Sequence, residues 1–162
     1  MRLYRIAPQT FLENYQGLGA SYRDGARWNL PGIPVLYFAS SASVAMLEMT
    51  NYLPSPRLIP PSYRLGIYEL AERVGSGSMS IDDLPPDWNR YPYPASTQQL
   101  GSRWLQANKN ALLIVPSAAV PAGLESILVV NPLHPDSKTL QLISSESQIY
   151  SERAFRRVDP GD

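Results

Sequence analysis

Apolar positions in this chain come in short bursts rather than long stripes. Residues 3–6 alternate apolar and polar side chains, the period of a strand with one face buried, and residues 63–70 alternate again. Residues 35–39, 111–115 and 126–130 are nearly unbroken apolar runs, which predicts three strands, the first of them buried. Residues 140–143 predict one further short strand. Two stretches carry a helical period instead. One covers residues 42–52, with Ser40, Ser41 and Ser43 as N-cap candidates. The other covers residues 98–108, with Leu100, Trp104 and Leu105 on one side. Pro54 and Pro56 close the first helix, because proline lacks the N–H donor and clashes within a helix. Residues 17–34 are rich in glycine and proline and read as loop. Residues 75–94 read as irregular, with an exposed-looking Tyr91-Pro92-Tyr93-Pro94. There is no internal repeat and no linker between two cores. Short strands with two helices predict one α+β domain over residues 1–162, and the charged tail from about residue 151 reads as mobile.

Composition narrows the chemistry. The chain has 162 residues, 44% of them hydrophobic, which is enough for a core without covalent staples. It has no cysteine, which excludes disulfides and thiolate metal sites, and a single histidine, which excludes a multi-histidine centre within one chain. No metal is expected. Fourteen basic residues balance fourteen acidic ones and form no basic run, so direct contact with nucleic acid is not expected. No apolar run approaches the ~20 residues of a membrane helix, and residues 1–6 lack the apolar core of a signal peptide. A soluble cytoplasmic protein is expected.

Four residues carry candidate chemistry, each with an ordinary alternative. Arg27 stands in Asp24-Gly25-Ala26-Arg27-Trp28-Asn29, where glycine lets backbone approach a ligand and a guanidinium fork suits phosphate. The alternative is a surface ion pair with Asp24. Glu48 shares a helical face with Ser41, Ala45 and Tyr52. A carboxylate there suits a ribose hydroxyl or an oxocarbenium-like centre, or is simply solvated. Tyr37, central in an apolar strand, suits stacking on an aromatic ring or plain core packing. Ser117 follows a strand and a proline, where it reaches a ligand or only shapes a turn. No Gly-x-Ser-x-Gly elbow surrounds Ser117, so pairing it with His134 as a hydrolase is disfavoured, and His134 reads as a turn residue. Gly17-x-Gly19 is too short for a dinucleotide fingerprint. Arg, Tyr and Glu delivered from three consecutive elements suit a small pocket for an anionic ligand with a sugar beside it.

Together these segments resemble the RES-domain family, the toxin half of Xre–RES toxin–antitoxin pairs. The family takes its name from an arginine, a glutamate and a serine. The resemblance places them at Arg27 in Gly-Ala-Arg-Trp-Asn, Glu48 in Met-Leu-Glu-Met and Ser117 in Val-Pro-Ser-Ala. The strand through Tyr37 to Ser40, Leu-Gly-Ser-Arg-Trp-Leu at 100–105, and Asn131-Pro132-Leu133-His134-Pro135 are also similar. The chain departs from the family pattern at Ala26, Ser102 and Ser126, and at Asn51 and Tyr52, near which the family often has a histidine. The resemblance implies an ADP-ribosyltransferase-like fold, with short mixed strands in a split or bent sheet and a few short helices. It implies NAD+ as substrate, with Arg27, Glu48 and Ser117 catalytic and Arg27, Asn29, Tyr37 and Ser40 binding NAD+. The implied activity is NAD+ degradation by hydrolysis or phosphorolysis, causing growth arrest, or transfer of ADP-ribose to a protein. The implied partner is an Xre-like helix-turn-helix antitoxin in a hetero-oligomer. The alternative from another class is a non-catalytic binding module with the same fold.

Overall fold

The computed structural model describes residues 1–53, 55, 58–151 and 153. Its strands are β1 (Arg2–Pro8), β2 (Leu36–Ala39), β3 (Tyr63–Glu69), β4 (Ser76–Ser78), β5 (Leu112–Pro116), β6 (Ser126–Val130) and β7 (Gln141–Glu146). Its helices are α1 (Ala20–Asp24), α2 (Ala42–Met49) and α3 (Ala95–Ala107). The strands form one seven-stranded sheet in the order β4-β5-β6-β2-β1-β3-β7, so the α+β expectation is met. Every neighbouring pair is antiparallel except β4 and β5. β1 meets β2 only at Tyr4 opposite Ala39, whereas β1 pairs with β3 along its whole length. The sheet is therefore weakly joined between two well-paired halves.

The alternation of side chains along β2, β5 and β6 sends apolar groups to both faces. Leu36, Phe38, Leu112, Leu128 and Val130 join Leu3 and Tyr68 on one face. Tyr37, Leu113, Val115 and Val129 join Trp28 and Leu105 on the other. Burial on two faces is the reason that residues 111–115 and 126–130 read as continuous apolar runs. The first face also sequesters the Tyr68 phenol, which donates to Leu12 O at 2.9 Å. Burial there pushes its pKa up to about 12. On the second face α2 packs Val44 and Ala45 against Ala39 and Leu65, while α3 brings Leu105 onto Leu113 and Val129.

β2 and β5 both run antiparallel to β6, so their C-terminal ends lie together at one end of the sheet. Ser40 and Ser117 leave the sheet there, on either side of the start of β6. This end carries the candidate site.

Some boundaries differ from the sequence pattern. α2 ends at Met49, before residue 52, because Thr50 turns its hydroxyl back to Leu47 O at 2.6 Å. The following amides of Asn51 and Tyr52 bond three residues back, to Glu48 O and Met49 O, in a tighter turn. α3 begins at Ala95, directly after Pro94, whose carbonyl accepts from Thr97 and Gln98. β4 and α1 went unseen in the sequence. Ser-Gly-Ser has no apolar pattern, and its pairing with β5 is a tertiary choice. α1 has five residues, too few to display a period. The expected mobile tail lies outside the described residues except for Ser151 and Arg153.

Candidate active site

The Arg27 loop is built from the backbone outward. α1 is capped by Gly25, whose φ of 78° lies in the left-handed region that glycine enters freely. A tight turn follows, with Ala26 and Asn29 exchanging backbone hydrogen bonds at 3.0 and 3.4 Å and Arg27 and Trp28 at its tip. Trp28 is 1% exposed and anchors the turn in the core. α3 presses on it closely: a methyl at Gly101 would lie 2.1 Å from Trp28 O. Next along α3, the Ser102 hydroxyl accepts from Leu30 N–H at 2.9 Å. The Leu-Gly-Ser-Arg-Trp-Leu segment thus clamps the turn that presents Arg27.

Asn29 is fully buried beneath this turn. Its amide donates to Ser21 O at 2.7 Å and Leu30 O at 3.0 Å, and its Oδ1 accepts from the Tyr37 hydroxyl at 2.7 Å. The Tyr37 oxygen in turn accepts from Trp28 N–H at 3.2 Å. Burial drives the Tyr37 phenol far above its ordinary pKa, so it stays a neutral donor. Asn29 and Tyr37 therefore hold the shape of the arginine loop from below.

The Arg27 guanidinium is fixed along one edge. Nη1 donates to Trp88 O at 2.5 Å and to Arg90 O at 2.9 Å. The Tyr93 ring lies 5.2 Å beneath it, a cation–π distance, and the Tyr93 hydroxyl meets that of Tyr52 at 3.2 Å. Among the described residues, Nε and Nη2 make no hydrogen bond, which leaves a two-donor edge suited to an anion. Asp24 does not take it, because its carboxylate pairs with Arg23 at 2.7 Å. Partial burial draws the Arg27 pKa down, against the opposing pull of Tyr93 and Glu48.

Glu48 sits in the last turn of α2, where the helix dipole disfavours a negative charge. Two donors offset this. The Ser117 hydroxyl donates to Oε1 at 2.6 Å, and the Asn51 amide donates to Oε2 at 3.2 Å. Ser117 is fully buried, and its oxygen also accepts from Ala119 N–H at 3.1 Å. Ser40 faces a different carboxylate: its hydroxyl donates to Glu125 Oε2 at 3.1 Å and accepts from Ser126 N–H at 3.3 Å.

The structure brings Arg27, Glu48 and Ser117 to one place, with Asn29 and Tyr37 behind them and Ser40 at the neighbouring strand end. Sequence reasoning missed the Trp88 and Arg90 carbonyls, which have no side-chain signature. It also left Asn51, Tyr93 and Glu125 without a role. The paired Tyr-Pro motif at 91–94 and the placement of Tyr52 on the Glu48 face were the available signals. His134 is a turn residue whose Nδ1 accepts from Asp136 N–H at 3.2 Å. The neighbouring Asn131 is 1% exposed and binds Leu105 O and Asn108, tying β6 to the end of α3. A groove of about 630 Å³ lined by Glu13, Tyr15, Pro34, Leu133 and Lys138 shares no residue with the site. Among the described residues no group of three or more His, Cys, Asp or Glu is placed to hold a metal ion, and no helix is long and apolar enough to cross a membrane.

Comparison with known proteins shows the family of the chain and the likeness of its fold. The RES domain family model matches residues 2–150. The Prs ADP-ribosylating toxin of Sphingobium sp. (strain YBL2) is 34% identical over 147 residues, covering 90% of this chain and 89% of that protein. Toxin Res of Yersinia enterocolitica is 37% identical over 144 residues, covering 86% and 89%. Among solved structures, a chain of the Mycobacterium tuberculosis MbcT–MbcA toxin–antitoxin complex superimposes with a TM-score of 0.69 at 20% identity, covering 90% of this chain and 82% of that one. That likeness concerns the fold. With a family model spanning nearly its whole length and relatives above a third identical, this chain belongs to the RES domain family.

Proposed function

We propose that this protein is the toxin of a toxin–antitoxin pair and that it cleaves NAD+ at the bond between nicotinamide and ribose. The observation that carries the reading is the convergence of Arg27, Glu48 and Ser117 from a loop, a helix and a strand end. The free edge of Arg27 binds the pyrophosphate. Glu48, held by Ser117 and Asn51, faces the ribose and stabilises the positive charge that grows there as the bond lengthens. The leaving nicotinamide is already cationic in the substrate and departs neutral, so no strong general acid is required. Tyr37 and Asn29 act by holding the arginine loop. Ser40 is the remaining NAD+-site candidate.

The test is direct. Purified protein, freed of any partner, is incubated with NAD+ with and without phosphate, and nicotinamide is measured. Release supports the reading. No release under either condition, from protein shown to be folded, refutes it.

A second reading has its own support. A relative 34% identical is named an ADP-ribosylating toxin, which favours a protein side chain as acceptor. Transfer of labelled ADP-ribose to protein separates this from hydrolysis or phosphorolysis.

A further inference from the structure

β5 and β6 pair as far as Pro116 opposite Ser126. One step further, Ser117 N–H donates to Glu125 O at 2.9 Å, so Ser117 and Glu125 face each other across the strand ends. Both continue the alternation that points Val115 and Ile127 to the second face of the sheet, where Tyr37 lies. Cross-strand neighbours of this kind have Cβ atoms ~4.5–5.5 Å apart. Ser117 therefore links the two glutamates in the fold: its hydroxyl donates to the Glu48 carboxylate, and its backbone N–H bonds the Glu125 carbonyl across the strand ends. Glu125 is half-buried and in no ion pair among the described residues. Ser40 holds its Oε2 at 3.1 Å, and Oε1 has no hydrogen bond there.

We propose that Glu125 is a second catalytic carboxylate, the base that takes the proton from the acceptor hydroxyl, and that Ser40 is its positioning residue. The inference rests on the NAD+-cleaving reading above. In this step the bond from ribose C1′ to the nicotinamide nitrogen breaks, and its electron pair leaves with neutral nicotinamide. A bond forms from C1′ to the acceptor oxygen. The proton of that oxygen passes to Glu125 Oε1 and then to bulk water. The two carboxylates divide the work: Glu48 stabilises the positive charge growing on the ribose, and Glu125 activates the incoming group.

The experiment compares wild type, Glu125→Gln, Glu125→Asp, Ser40→Ala and Glu48→Gln for nicotinamide release, with and without added azide. Azide is an anionic nucleophile that needs no base. A positioned base contributes ~10²-fold or more, so Glu125→Gln loses about that much turnover with water. Azide restores it, with ADP-ribosyl azide found by mass spectrometry. Glu125→Asp retains part of the activity, which covers the case in which the glutamine variant folds poorly. Ser40→Ala shows a smaller loss that azide also relieves. Glu48→Gln stays inactive with azide, because its defect lies in bond cleavage. Glu125→Gln turning over at the wild-type rate overturns the proposal, and so does a loss that azide leaves unchanged. An inactive wild type sinks the NAD+ reading itself, and the proposal with it.

Discussion

The Ser117 hydroxyl donates to Glu48 Oε1 at 2.6 Å across 69 residues of sequence. Hydrogen bonds to charged groups contribute about 1.5–3 kcal/mol. This one ties the end of β5 to the last turn of α2. With Asn51 on the other oxygen, it fixes the carboxylate plane, and among the described residues no cation is in hydrogen-bond contact with it. The carboxylate is thus oriented by two neutral donors.

Glu48→Gln tests that charge. The amide keeps the size of the side chain and an oxygen for Ser117. Melting temperature should change little. Nicotinamide release should fall by ~10²–10³, the usual cost of losing one transition-state electrostatic contact. Turnover near wild type, measured by nicotinamide assay, would show that the carboxylate is not catalytic.

Ser117→Ala removes a buried donor and strands Ala119 N–H as well as Glu48 Oε1. Leaving buried polar groups unpaired costs about 1–3 kcal/mol. Denaturant titration should show that loss, and turnover should drop with it. In a double-mutant cycle with Glu48→Gln the effects should be non-additive, because the two residues share one hydrogen bond. Simple additivity in both stability and rate would argue that they act separately.

Arg27→Lys keeps a positive charge but not the fork. One ammonium cannot satisfy the carbonyls of Trp88 and Arg90 and also present two parallel donors to an anion. NAD+ binding by calorimetry should weaken, and toxicity on expression should be relieved, with a modest shift in melting temperature. Unchanged affinity would remove the pyrophosphate role.

Gly101→Ala concerns the clamp on the arginine loop. The new methyl would meet Trp28 O at 2.1 Å, so helix or loop must move. Overpacking of this kind costs about 1–3 kcal/mol, and each kcal/mol lowers the midpoint of a domain this size by about 2–4 °C. Thermal unfolding should show the drop, and activity should fall further than stability alone explains. A variant with wild-type melting and turnover would mean that α3 does not position Arg27.

An inhibitor partner follows from the proposed function, since a free NAD+-cleaving enzyme harms its own host. Co-expression with an Xre-like antitoxin should yield a stable complex without NAD+ turnover. A segment covering the free edge of Arg27 must offer an acceptor, best a carboxylate or a chain terminus, or leave a buried charge unpaired at a cost of several kcal/mol. Full activity in the complex would rule out cover of the site.

The sequence by itself determined six of the seven strands, all but β4, and where β5 and β6 stop. Period-two alternation marked β1 and β3, unbroken apolar runs marked β5 and β6, and Pro116-Ser117 and Asn131-Pro132 marked where they stop. Ser41 as the N-cap of α2 was equally legible, since its side chain accepts from Val44 N–H at 3.2 Å. Arg27, Glu48 and Ser117 were recognisable because their flanking residues form local motifs. What the motifs do was decided only in three dimensions. Gly101 looks like a weak helix position until α3 is laid against Trp28. That Asn29 and Tyr37 support the arginine loop shows only once the hydrogen bond between them is seen beneath it. The carbonyls that orient Arg27 come from residues 61 and 63 positions further along, and backbone acceptors leave no trace in side-chain pattern. Glu125 stands beside Ser117 only because β5 and β6 pair in one register, and a slip of one residue would send it to the other face. Local propensity is written in neighbouring residues, whereas the meeting of distant polar groups depends on strand register and packing.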